Sequence, residues 1–172
     1  MISLLTVLTP IVPGDEPDLE RTLAGLSRGP SPLARLDYVH FARWVIIGEV
    51  RGRFPKLSRN RRQLRMRYLL FTAGFDGSVE HFVEDVRTTL GDTADRIWGS
   101  CIGYPGASDR DEVHRYFEHN RLAIPHSFLA YEHSVPQVKA ALGLREKYIR
   151  LAMAAQTADD AELLSRFKAE FG

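Results

Sequence analysis

His40 is the residue whose type and setting best suit it to chemistry. It stands inside Tyr38–Ile47 (YVHFARWVII), a run of aromatic and β-branched residues. An imidazole, ordinarily titrating near pH ~6.5, can take and return a proton at neutral pH from within an apolar pocket. A strand of period two places Tyr38, His40, Ala42, Trp44 and Ile46 on one face, and Val39, Phe41, Arg43, Val45 and Ile47 on the other. On that reading His40 is a general acid/base, or a haem ligand, between walls of Tyr38 and Trp44. Arg43 points the opposite way unless a bulge intervenes, and becomes the functional group if the faces are assigned in reverse. Asp76 stands in the string Gly74-Phe75-Asp76-Gly77, between a strand and a helix. The same four residues suit a plain turn, because Asp and Gly tolerate a left-handed backbone.

Other candidates are weaker in pattern. Cys101 lies in the Gly/Pro-rich stretch Gly99–Ala107 and reads as a small buried hydrophobe rather than a nucleophile; Tyr104, in the same stretch, can line a pocket mouth. His114 and Glu118 are four apart on an expected helix, and His119, His126 and His133 follow, but the spacing shows no three or four groups converging, so no metal site is assigned. Arg51–Arg67 carries eight positive charges and no acid, while the whole chain is only +1, leaving −7 on the remainder. Arg51, Arg53, Lys56, Arg59, Arg61 and Arg62, with Phe54 and Leu57 among them, form a candidate docking stretch for an acidic protein partner. Nucleic acid is disfavoured as a partner, because the third expected strand (Arg67-Tyr-Leu-Leu-Phe71) lacks the basic-Gly-aromatic pattern of RNA-recognition domains.

These residues need a scaffold, and the composition supports one. The chain has 172 residues, 44% hydrophobic and 26% charged, enough for one domain with a real core. Its single cysteine excludes an internal disulfide framework. The apolar start, Ile2–Val12, is interrupted by Ser3, Thr6 and Thr9 and lacks a basic leader, so it reads as a buried strand rather than a signal or membrane segment. The expected location is the cytoplasm.

Hydrophobic periodicity and turn residues predict strands over 2–12, 38–47, 66–75 and 126–132. They predict helices after Glu16, after Ser78, over 109–120, after the Ser134/Gln137 capping box and after Thr157. Gly29-Pro30, Asp76-Gly77 and Gly91 punctuate them. The order β-α-β-β-α-(α)-β-α-α implies an α+β protein with the ferredoxin-like split βαβ pattern: a four-stranded antiparallel sheet, helices on one face and extra C-terminal helices. The expected organisation is a single domain over 1–172, with a core of about 2–135 and a helical extension of about 134–172.

In element order the chain resembles the dimeric α+β barrel group, which pairs subunits through open sheet faces. That resemblance implies a homo-oligomer with a pocket against the open face. The group includes small monooxygenases, polyketide cyclases, haem proteins and non-catalytic ligand sensors. Gly74–Gly77 is also similar to the G-x-x-D-G motif of dye-decolorising peroxidases, one residue shorter, which implies a peroxide-cleaving role for Asp76. Three functions follow as expectations. The first is an enzyme acting on a hydrophobic or aromatic small molecule by oxygenation, cyclisation or isomerisation, or peroxide chemistry, with haem or without a cofactor. The second is an interaction protein using the basic stretch. The third is a small-ligand carrier or sensor.

Overall fold

The computed structural model describes residues 2–26, 28–50, 62–124 and 131–171. The chain divides into two compact units, Met1–Glu132 and His133–Gly172.

The first unit is built on an antiparallel sheet in the order β1-β3-β2, formed by β1 (Ile2–Pro10), β2 (Val39–Val50) and β3 (Arg62–Asp76). Alternation assigns its two faces. Leu5, Val7 and Thr9 of β1 and Leu69, Phe71, Ala73 and Phe75 of β3 are all buried. They face α1 (Glu16–Leu26), α2 (Val79–Asp85), α3 (Asp92–Trp98) and α4 (Arg110–His119). Aromatic rings fill that core. Phe82 of α2 stacks on Phe75 at 4.1 Å between centroids, and Trp98 of α3 meets Phe71 edge-on at 5.3 Å.

The helices begin where their caps dictate. Ser78 Oγ accepts the His81 N–H at 3.2 Å, and Asp109 Oδ1 accepts the Glu112 N–H at 3.0 Å. One turn of π-helix, Val86–Leu90, separates α2 from α3, and Gly91 follows it at φ +41°.

The expected four-stranded ferredoxin-like sheet is corrected here to three strands among the described residues. Most of the expected fourth strand, 126–130, lies outside the described residues, and Tyr131 and Glu132 belong to no strand. The outer edge of β1 is met instead by a short bridging segment. Leu8 N–H donates to Asn120 O, Leu122 N–H donates to Thr6 O, and Val7 bridges Arg121. Two bonds satisfy the edge locally without extending a ladder.

The second unit is a helical hairpin of α5 (Val135–Ala154) and α6 (Asp160–Phe171). The capping box opens α5: Ser134 Oγ accepts the Gln137 N–H, and Gln137 Oε1 accepts the Ser134 N–H at 2.8 Å. For α6 the cap is Asp159, which accepts the Glu162 N–H at 2.9 Å, rather than the expected Thr157. Among the described residues no helix is long and apolar enough to cross a membrane.

Candidate functional site

His40 sits in a β-bulge. Val39 pairs with Phe75 and Phe41 pairs with Gly74, so β2 carries one residue more than β3 at this point. The extra residue breaks the alternation. Val39, Ala42, Trp44 and Ile46 pack on the helix-covered core, whereas Phe41 lies over Gly74 on the opposite face, open in the sense that α1–α4 do not cover it. His40 is turned to the same open face and meets Asp76, the last residue of β3, with Nε2 3.2 Å from Oδ1. The expected grouping of His40 with Tyr38 and Trp44 is therefore corrected: the bulge separates them.

Gly74 is what lets the bulge close. A Cβ there would lie 2.6 Å from Phe41 Cε1 and 3.2 Å from Leu4 Cδ2. Without it the Phe41 ring can come down over Gly74. Asp76 is fixed by its own backbone, whose N–H donates to Tyr38 O at 2.9 Å. The His40 and Asp76 side chains keep only 12% and 17% of their surface exposed. The Tyr131 ring stands 6.5 Å from the imidazole.

On the face around the pair two apolar rows flank a polar one. Strand register lines up Leu4, Gly74 and Phe41, then Thr6, Thr72 and Arg43, then Leu8, Leu70 and Val45. Phe41 and Val45 are 47% and 41% exposed. A groove of about 510 Å³ runs along the β1 edge of this face, lined by Leu4, Thr6, Arg121, Leu122 and Ile124 among others. Leu4 pairs with Gly74, two residues before Asp76, so the groove and the His40–Asp76 pair share one surface.

The other expected site residues are placed elsewhere. Tyr38 donates its hydroxyl to Asp85 on α2 and stacks on His81 at 5.6 Å; burial and Asp85 push that phenol up. Trp44 is a core residue, 5.1 Å from Phe71 between ring centroids. Arg43 is on the open face with His40, and it is exposed. Tyr104 donates to Asp95 at 3.0 Å and packs on Tyr116, so it does not join the pair. Cys101 is buried against Thr9 Oγ1 at 3.3 Å; burial pushes its thiol up, which suits a packed hydrophobe and not a nucleophile. Arg51, Arg53, Lys56, Arg59 and Arg61 lie outside the described residues, and Arg62 opens β3 opposite Val50.

A second polar cluster was not read from spacing. His114 turns to Glu84 of α2 at 3.4 Å rather than to Glu118. Arg87 grips both Glu84 oxygens, at 2.7 and 3.0 Å, and donates to Ala107 O at 3.0 Å. That guanidinium holds the Glu84 carboxyl down to about 2. The available signal was Glu84 followed by Arg87 at i,i+3, but their partners on α4 are set by tertiary packing. Among the described residues no three His, Cys, Asp or Glu side chains form a group able to hold a metal ion.

Comparison with protein-family models, with curated proteins and with solved structures returns no match for this chain.

Proposed function

We propose that the chain is an enzyme that moves a proton on a hydrophobic or aromatic small molecule lying against the open sheet face, with His40 as acid/base and Asp76 behind it. The observation that carries this reading is the bulge, which turns one histidine out of its strand's alternation and onto a carboxylate 3.2 Å away. A structural histidine has no need of an interrupted strand, and bulges recur beside active sites.

The geometry divides the roles. Asp76 accepts the Nε2–H, which leaves Nδ1 with its lone pair. Among the described residues Nδ1 has no partner. It takes a proton from a ligand O–H or activated C–H, Asp76 stabilises the imidazolium, and the proton returns to a second position on the ligand. The result is an isomerisation or cyclisation with no net change in protons. Leu4, Phe41 and Leu122 offer the ligand apolar surface, and Arg43 can steady a developing negative charge. Haem ligation, the other chemistry named for His40, fits less well. The Nε2 atom faces Asp76 instead of presenting an open approach.

The test is a panel of aromatic and aliphatic small molecules followed by backbone amide shifts and by turnover. Shifts should cluster at Leu4, Thr6, Phe41 and Leu122. Turnover of any hit should fall about 100-fold or more in His40→Gln, the usual contribution of a positioned acid/base. Turnover that survives His40→Gln, or binding that leaves this face unperturbed, overturns the proposal.

A further inference from the structure

The face that carries His40 and Asp76 holds a polar row whose groups find nothing to bond within the fold. Register sets Thr6 of β1, Thr72 of β3 and Arg43 of β2 side by side, between the rows Leu4–Gly74–Phe41 and Leu8–Leu70–Val45. Thr6 is only 6% exposed, yet among the described residues its hydroxyl has no hydrogen-bond partner. Nor has that of Thr72, and Arg43 has no ion pair among them. The Thr6 oxygen is not sealed inside the protein. Thr6 lines the groove of about 510 Å³ along the β1 edge, and its hydroxyl opens into it. Thr9, on the core face of the same strand, is the contrast: its hydroxyl donates to Leu69 O at 3.4 Å and lies 3.3 Å from Cys101 Sγ. A nearly buried hydroxyl without a partner costs the fold stability, so Thr6 serves a ligand better than it serves the sheet.

The chemistry of the row selects the ligand. Two hydroxyls and a guanidinium are all donors, and no carboxylate stands in the row, so the group that suits it is an anion. A guanidinium holds a carboxylate through two parallel N–H bonds. Arg121, which also lines the groove, already pairs with Glu118 at 3.4 Å, which leaves Arg43 as the cation with charge to offer on this face. The rows on either side are apolar, so the rest of the ligand is hydrocarbon.

We infer that this row binds the carboxylate of an amphipathic acid whose apolar chain runs past Leu4 and Phe41 toward His40. The inference rests on the reading of this face as the ligand's, and it names the class of that ligand. Thr72 stands four residues before Asp76 on β3, about 13 Å along the strand at ~3.4 Å per residue. The side chains that reach into that interval from both ends leave on the order of 10 Å between the carboxylate and the imidazole. About eight extended carbons span it, at ~1.5 Å per bond along the zigzag. Arg43 then holds a charge that the ligand carries from the start.

The test uses three probes of one chain length, octanoate, octan-1-ol and octylammonium, followed by backbone amide shifts of the full chain. Octanoate should shift Leu4, Thr6, Phe41 and Thr72 and bind about tenfold tighter than octanol, with octylammonium the weakest. Arg43→Gln should abolish that preference and leave octanol binding as it was. Thr6→Val should weaken octanoate binding and yet unfold at the same urea midpoint or a higher one, because the fold gives the hydroxyl no partner. Three head groups bound alike on this face, or octanoate binding indifferent to Arg43→Gln, overturns the inference and leaves the acid–base reading standing. A destabilised Thr6→Val overturns it as well, since the hydroxyl would then belong to the fold. So does the absence of any shift on this face with all three probes. The acid–base reading is judged apart, by turnover in His40→Gln, which should bind octanoate much as the wild type does.

Discussion

Gly74→Ala probes the geometry that turns His40 out of register. The new Cβ would sit 2.6 Å from Phe41 Cε1, 3.1 Å from Phe41 Cδ1 and 3.2 Å from Leu4 Cδ2. Ordinary carbon contacts begin near ~3.5 Å, so Phe41 must move by about 1 Å, while Leu4 need give only a few tenths. Overpacking of this kind costs about 1–3 kcal/mol, offset by about 0.4–1 kcal/mol from the stiffer unfolded chain. Phe41 is half exposed and can yield, so the net effect should sit at the low end, about 1 kcal/mol destabilising. In a Phe41→Ala background the obstruction is gone, and the same Gly74→Ala change should stabilise by about 0.5 kcal/mol. The two substitutions should therefore couple by about 1.5 kcal/mol, read from urea unfolding of the four proteins at constant m. The imidazole resonances of His40, next in sequence to Phe41, should shift in Gly74→Ala and return toward wild type in the double variant. Additive effects within ~0.3–0.5 kcal/mol would show that Phe41 does not depend on the missing Cβ, and would refute the account of the bulge.

Other expectations rest on different parts of the molecule. Phe82, stacked on Phe75 and fully buried, should cost about 3–5 kcal/mol on Phe82→Ala, measured by chemical unfolding. Glu84 has its pKa lowered from 4.5 to about 2 by Arg87, so its contribution is fully present above pH 4.5 and is lost as pH falls toward 2. Because the carboxylate is partly exposed, that contribution should be about 1–2 kcal/mol. Glu84→Gln should thus destabilise at pH 7 and make little difference near pH 2, as judged by thermal unfolding. Ser134→Ala removes one half of the α5 capping box and should cost about 1 kcal/mol, seen as faster hydrogen exchange in the first turn of that helix.

Much of the scaffold was legible because it is local. Alternation over 38–47 and 66–75 predicts strands where β2 and β3 run, and Ser78, Asp109 and the Ser134/Gln137 pair mark helix starts by their own chemistry. The placing of His40 was not legible, because the bulge has its cause on another strand. Gly74 makes room for Phe41, and nothing in YVHFARWVII shows which neighbour that run will meet. A single extra residue then reverses which side chains share a face, so Tyr38 and Trp44 go to the core and His40 does not. The same limit explains His114, whose helical neighbour Glu118 was visible while Glu84, thirty residues away, was not. The fourth strand was misjudged for a related reason. HSFLAYE has strand composition, but the described contacts of the β1 edge come from Asn120–Leu122.

The proposed chemistry depends on one proton: it must sit on Nε2 of His40, facing Asp76, and leave Nδ1 as the base. Long-range ¹H–¹⁵N spectra of the neutral imidazole read that proton directly. The wild type should show His40 as the Nε2–H tautomer, and Asp76→Ala should relax it to a mixture of both forms. A wild-type His40 protonated at Nδ1, or a tautomer indifferent to Asp76→Ala, would contradict the account.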